Sequence, residues 1–490
     1  MSWPPAAPTE VWHRLSPRML LVHPVHEVMR QIPVIIGSLV LGSATGNPAV
    51  VVMVVAATVA YGAARWFTTT YRIGPTDVQL RTGVLQRKVI SVPRNRIRSV
   101  STEARLLHRM LGLTVLRVST GQEARGDAVF ALDAVQAEEV PRLRAILLAD
   151  SLAVADEEQA PAGRVLAKWD PSWLRYSPLS FTGLAMIAAA AGLVYQMGAG
   201  AALRDSDVAQ SGVDVAEQFG VATTVAVAAI VVLLASVVLS VLQSLLSYGN
   251  LVLRRDADVL HLRLGLLRVR EHTFDMRRLR GGSLREPLLV RLFGGARLDA
   301  VMTGVGGVGE ASLLLPPCPR ATAEAVLTDL IERPEVVSGP LRAHGPAATR
   351  RRWTRAMVAP VVIAVVLAVT AAPTWAWLLC VVLAVGCALL AHDRTRSLGH
   401  RVGDGWLVAR TGSLQRRRDC IEASGIIGWT VRQTLMQRRA GVATLIAATA
   451  AGVKHYQVID VPAELAWSIA AEASPWVADT EWARVGSDLR

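Results

Sequence analysis

Six apolar stretches divide the chain, in three close pairs: about 31–45 with 49–67, 180–201 with 219–247, and 356–372 with 374–391. A helix crossing a bilayer needs roughly 20 apolar residues, so the pattern predicts three membrane hairpins. The first member of pairs one and three is short, and each reads either as a full span or as a re-entrant segment. After each pair the hydrophobic period falls toward two. Val78 and Leu80 alternate with Gln79 and Arg81, Gly83 marks a turn, and a second strand runs through Val89, Ile90 and Val92. Further strands are predicted near 97–101, 113–119 and 128–132. An apolar-periodic helix from about Asp133 to Leu148 closes the stretch, with Asp133 and Gln136 as a capping box and Pro141 as a kink or restart. The later stretches end alike: Thr322 leads into 323–331, and Asp460 into 462–471. Short antiparallel strands followed by one helix predict a small barrel or curved sheet plugged by that helix.

The three polar stretches share one frame. Arg81, Gly83 and Leu85 open the first copy, and Leu106, Arg109 and Gly112 close it. Arg263, Gly265, Leu267, Leu288, Arg291 and Gly294 repeat these residues at the same spacing. So do Arg410, Gly412, Leu414, Leu435, Arg438 and Gly441. Two inner slots stay apolar: Val92, Phe274 and Ile421, then Ile97, Leu279 and Ile426. Six identities without a gap define an array of three related modules. The expected order is an amphipathic N-terminal segment (1–30), hairpin one (31–67), module one (68–150), a linker (151–178), hairpin two (179–247), module two (248–333), a second linker (334–355), hairpin three (356–391) and module three (392–490). Within the first segment, Trp12, Leu15, Met19, Leu20, Val22 and Val25 suit the membrane interface.

Composition agrees with a membrane protein: 52% of residues are hydrophobic and 19% charged. The loop inside pair two holds Arg204 against Asp205, Asp207, Asp214 and Glu217. The loops inside the other pairs are tiny and uncharged. Nearly all of the 52 Lys and Arg therefore lie on the other side, which predicts cytoplasmic termini and modules in a multi-pass cytoplasmic-membrane protein. The start of the chain shows no basic n-region running into an apolar core, so no cleaved signal is expected. Cys318, Cys380, Cys387 and Cys420 form no zinc or redox motif, and a reducing compartment argues against disulfides.

Module one opens with Tyr-Arg-Ile-Gly-Pro-Thr-Asp and continues through Arg-Thr-Gly-Val-Leu, Val92-Pro93-Arg94-Asn95-Arg96-Ile97-Arg98-Ser99-Val100 and Arg109-Met110-Leu111-Gly112. This resembles the bacterial pleckstrin-homology (PH) domain of YdbS/YdbT-like membrane proteins, the bacterial membrane-flanked domain. The order of hairpin then module extends the resemblance over nearly the whole chain. Module two departs at Phe274–Leu279, where Pro93 has no counterpart, and module three replaces the basic run with Ile421–Ile426. The resemblance implies a PH-like fold of two orthogonal sheets and a C-terminal helix. It implies no enzymatic activity and no cofactor.

Candidate contacts follow from charge. Arg94, Arg96 and Arg98 alternate along one predicted strand, which puts them on one face. Arg277, Arg278 and Arg280 occupy the matching stretch of module two, and Arg416, Arg417 and Arg418 lie slightly earlier in module three. Such clusters suit anionic headgroups of the bilayer, at about 1 kcal/mol for each juxtamembrane cation. They equally suit another membrane protein, or are a solvated basic face. Arg109, Arg291 and Arg438 instead read as structural, bonding backbone carbonyls that fix the loop before each closing glycine. Gly83, Gly265 and Gly412 read as hairpin-turn glycines. Transport is disfavoured because the spans hold few polar groups, chiefly Gln196 and Gln243. Catalysis is disfavoured because no G-x-S-x-G, HExxH or P-loop occurs, the glycine-rich run 304–309 being a loop. Nucleic-acid binding is disfavoured because topology already accounts for the Arg excess. The expectation is a non-catalytic membrane scaffold or adaptor, with anionic-lipid sensing or handling as the alternative.

Overall fold

In the computed structural model the chain divides into two compact units at Met276/Arg277, inside the second repeat. Residues 163–194, 220–304 and 312–478 are described throughout. Earlier in the chain the described residues are 12–14, 16–18, isolated positions from 53 to 69, and 70–147 apart from 75, 84, 85, 95, 96, 98, 120–129, 144 and 145. Most of hairpin one, Arg96, Arg98 and most of the N-terminal segment thus fall outside the described residues.

In the first unit, β1 (His13–Arg14), β2 (Thr70–Ile73), β3 (Asp77–Thr82) and β4 (Lys88–Pro93) form an antiparallel sheet in that order. Then come β5 (Ser99–Ala104), the short helix α1 (Leu106–Met110), β6 (Leu113–Ser119) and β7 (Phe130–Gln136). The second hairpin lies between β8 (Arg164–Lys168) and β9 (Val252–Asp256), as helices α2 (Thr182–Val194) and α3 (Val221–Tyr248). Strands β10 (Val259–Leu264) and β11 (Val269–Asp275) complete the unit. The sheet order is β7-β6-β5-β11-β10-β9-β8, so strands of two repeats share one ladder. Module one closes over a core that includes Val78, Leu80, Ile97, Val100, Leu116, Phe130, Leu132 and Leu147.

The second unit runs β12 (Leu279–Pro287), α4 (Leu288–Leu292), β13 (Gly295–Met302), β14 (Leu313–Pro319) and α5 (Arg320–Ile331). Hairpin three follows as α6 (Gly345–Val369) and α7 (Thr374–Arg396). Next are β15 (Gly399–Gly403), β16 (Trp406–Thr411), β17 (Gln415–Glu422), β18 (Ile426–Arg432), α8 (Leu435–Arg439), β19 (Val442–Thr449), β20 (His455–Pro462) and α9 (Ala466–Ala473). Its sheets are β14-β13-β12-β17-β16-β15 and β18-β19-β20. Among the described residues the four sheets are open, so the expected barrel is met only as PH-like sheets followed by helices.

The frame maps onto structure without a gap. Helices α1, α4 and α8 each begin at the repeat leucine and end just before Gly112, Gly294 and Gly441, whose φ values of 68°, 72° and 65° are left-handed. Such a residue ends a helix at least cost when it is glycine. Each of these carbonyls then accepts a bond from the chain that follows the module's last strand: Ala137 N, Arg320 N and Ala463 N, at 2.9, 2.9 and 3.0 Å. That bond explains a correction. The expected helix starts at Asp133, Thr322 and Asp460 are not caps. Asp133 lies in β7 and Asp460 in β20, because the ladder runs on to Gln136 and Pro462, whereas Thr322 is already inside α5. Pro141 sits in the first turn of the module-one helix, where its missing N–H costs nothing.

Helices α3, α6 and α7 hold 28, 25 and 23 residues and are long and apolar enough to cross a membrane. The fifth stretch is therefore not short: α6 begins at Gly345 and takes in Arg350, Arg351 and Arg352. Helix α2 approaches α3 through small residues, with the Gly183 N–H donating to Ser240 Oγ at 2.7 Å. A Cβ at Gly183 would meet the Ser236 carbonyl at 1.9 Å.

Segments read as linkers also enter the sheets. β1 precedes hairpin one and pairs with β2; β8 precedes hairpin two and pairs with β9; Arg342 precedes hairpin three and bridges His400 in β15. The His13 end of the N-terminal segment is thus a sheet edge rather than an interfacial helix, and Trp12 lies under Arg81, whose guanidinium carbon is 4.5 Å from the ring centre.

Candidate functional site

The chemistry of this chain concentrates at the joints between repeats. At the first joint β5 pairs antiparallel with β11: Ala104 opposite Val269, Glu103 opposite Arg270, Thr102 opposite Glu271, Ser101 opposite His272. At the second, β12 pairs with β17: Glu286 opposite Arg416, Arg285 opposite Arg417, Leu284 opposite Arg418, Ser283 opposite Asp419. In the gap-free repeat alignment these are the same positions in the same register.

An ion pair spans each joint: Glu103 with Arg268 at the first, and Arg280 with Glu422 at 2.7 Å at the second. Glu103 accepts two bonds of 2.6 Å from Arg268 and further contacts from Arg105 at 3.0 Å and Arg117 at 3.3 Å. Burial acts to raise its pKa, but the Arg268, Arg117 and Arg105 guanidinium groups outweigh it and hold the carboxyl down at about 2. At the second joint the Ser283 hydroxyl also donates across to Asp419; beside it, Arg417 of the same strand holds Asp419 at 2.5 Å and Arg285 meets Asp299 within module two at 2.9 Å. Burial pushes the Asp419 carboxyl up and the thiols of Cys318 and Cys420 to about 12, so neither cysteine is a nucleophile near neutral pH.

The repeat arginines act at the same joints. Arg109 does bond a backbone carbonyl, but not in its own loop: Nη1 donates to Leu266 O at 2.9 Å, in the next repeat. Arg291 donates to Asp393 at 2.9 Å, at the end of α7 that leads into module three. Arg438, in the last repeat, is exposed. Gly83, Gly265 and Gly412 have φ of 121°, 98° and 96°, and a Cβ on any of them would lie within about 2.2 Å of a carbonyl oxygen three residues on.

The basic stretches are corrected in part. Arg94 lies past the end of β4 in a single turn, and its guanidinium donates to the Ile146 carbonyl of the module-one helix rather than lining a strand face. Arg277 and Arg278 also lie in a one-turn helix, and Arg280 pairs with Glu422 at 2.7 Å. Arg416 pairs with Asp393 at 2.8 Å, and buried Arg418 donates to the Val336 and Gly339 carbonyls at 3.1 and 3.0 Å. Most of these cations hold the fold.

A basic cleft that the sequence pattern did not single out lies where hairpin three meets module three. It measures about 660 Å3 and is lined by Arg350, Arg351 and Arg355 of α6, Arg439 of α8, and the apolar Val358 and Met436; no carboxylate lines it. Behind it, Asp460 takes Arg351 at 2.6 Å and Arg352 at 3.2 Å. His344 and His400 lie nearby with tilted rings and nitrogens 2.9 Å apart, both buried. Burial lowers both pKa values, that of His400 to about 4, helped by His344 and Arg342. The Arg triplet before the fifth stretch was the one sequence signal for the cleft; the histidines, 56 positions apart, had none.

A family model for the bacterial PH domain matches the chain three times, over residues 31–151, 211–333 and 356–474. No curated protein and no solved structure matches.

Proposed function

This chain belongs to the bacterial PH domain family, three times over, and from that premise we propose that it is a multi-pass cytoplasmic-membrane protein whose three modules form a non-catalytic scaffold on the cytoplasmic face. The observation that carries this reading is the pair of joints in one register. Within each unit, strand pairing joins one repeat to the next and so offers partners a broader surface than a single domain. Two further observations support it. The segment before each hairpin pairs with the strand after it, as suits a hairpin whose two ends lie on one side. The second hairpin's own loop is acidic whereas the flanks are basic. The test is photo-crosslinking from Arg277 and Ile427 in native membranes, with the products identified. One recurrent protein partner supports the scaffold; products containing lipid alone refute it.

The Arg-lined cleft favours a second reading, an anionic-headgroup site on module three. Its cations and apolar floor suit a phosphate carried on acyl chains. Full-length protein with Arg355→Gln and Arg439→Gln, in nanodiscs with and without anionic lipid, tests it. Loss of anionic-lipid retention supports this reading, and unchanged retention removes it.

A further inference from the structure

The two joints leave one unmatched edge at each end of the array. β5 and β12 are the same strand of successive repeats, and each pairs with the next repeat's β11 or β17. The third repeat's version is β18, and the first repeat's version of β11 and β17 is β4. Among the described residues β18 bonds only β19, and β4 bonds only β3. Their exposure fits open edges. Arg418 to Ile421 of β17 are buried, whereas of β4 only Val92 is buried and Val89 is 53% exposed; Ile427 of β18 is 70% exposed. Arg438 is exposed at the last repeat, where Arg109 and Arg291 each reach into the repeat that follows.

We propose that β18 of one copy pairs with β4 of a second copy, in the register of the two internal joints, so that the protein associates head to tail. The occupant is another copy of this chain because its β4 is the first repeat's equivalent of the strands that β5 and β12 already receive. That register sets Gly428 opposite Val92, Trp429 opposite Ser91, Thr430 opposite Ile90, Val431 opposite Val89 and Arg432 opposite Lys88. The contact is heterologous, so it propagates unless its rotation closes a ring. An open edge is ordinarily blunted by charge, and Lys88 facing Arg432 does oppose pairing. In β12–β17 the same opposition, Arg285 facing Arg417, is offset by Asp299 and Asp419; at the proposed seam Ile446 and Ile90 hold the aligned positions, so solvent ions must screen the two cations. The pairing should therefore tighten as salt rises and screens the two cations. The inference goes beyond the scaffold reading and holds whether or not the modules bind lipid.

Two full-length versions with different tags, both Cys387→Ser, test it when co-expressed. One carries Lys88→Cys and the other Arg432→Cys, so a link can form only between chains; both positions are exposed, and the remaining cysteines are buried. A short bis-maleimide should give a two-tag product in membranes, several-fold more than the neighbouring pair Val89→Cys with Arg432→Cys. Lys88→Glu alone should raise the associated fraction in detergent, since it recreates the Glu–Arg facing pair of the first joint. No two-tag product, equal products from both pairs, or dimers from Lys88→Cys alone would overturn the proposal.

Discussion

At the scale of single residues, the three repeat arginines form an internal control. Arg291 is mostly buried against a carboxylate, Arg109 bonds an exposed carbonyl, and Arg438 is exposed. Truncation to alanine in the full-length protein should cost about 2 kcal/mol at Arg291, about 1 at Arg109 and nearly nothing at Arg438. Thermal melts in nanodiscs measure the order; an Arg438→Ala loss equal to that of Arg291→Ala contradicts it. The histidine pair gives a pH prediction. Its folded pKa values lie below the ordinary 6.5, so the unfolded chain takes up protons first as pH falls. Stability is then full above about pH 6.5 and declines toward pH 4, by roughly 3 kcal/mol from His400 alone. His400→Gln should remove most of that loss between pH 6.5 and 4. The Glu103 contribution lies lower, present above 4.5 and lost toward 2.

At the scale of elements, the joints rest on close backbone approach. Gly281 has φ of 136°, and a Cβ there would lie 1.9 Å from the Cys420 carbonyl across the β12–β17 joint. Gly281→Ala should cost about 2 kcal/mol or more. Gly428, its aligned position in β18, has its nearest neighbour at 3.9 Å. There alanine should change the melting of the isolated copy by less than about 0.5 kcal/mol. Much at this scale was legible. The alternation at Val78 to Arg81 and the frame residues predict β3, β4 and β6, and the slots apolar in every copy, Val92, Phe274 and Ile421, are buried. Pairing between repeats was not legible, because a strand's periodicity names its faces and says nothing of the strand beyond its edge. β8 escaped notice for a related reason: five residues in a linker acquire their pattern only from β9. The basic run around Arg94 misled because alternate arginines suit a strand, whereas Arg94 satisfies a helix carbonyl.

At the scale of the whole molecule, hairpins and joints make separate predictions. A cysteine at Ser211, in the acidic loop, should react with an impermeant maleimide from outside intact cells. One at Asp404, in the exposed turn between β15 and β16, should react only after lysis. Labelling of Asp404→Cys from outside would reverse the orientation. Strand pairing between successive PH-like repeats is tested by a link across the first joint. Ser101→Cys with His272→Cys, in protein carrying a protease site within 151–162, should join the two fragments after bis-maleimide treatment of native membranes and cleavage. One joined band is expected for this pair, and separate fragments for Ser101→Cys with Glu271→Cys. Separate fragments for both pairs, or joining of both alike, would contradict it.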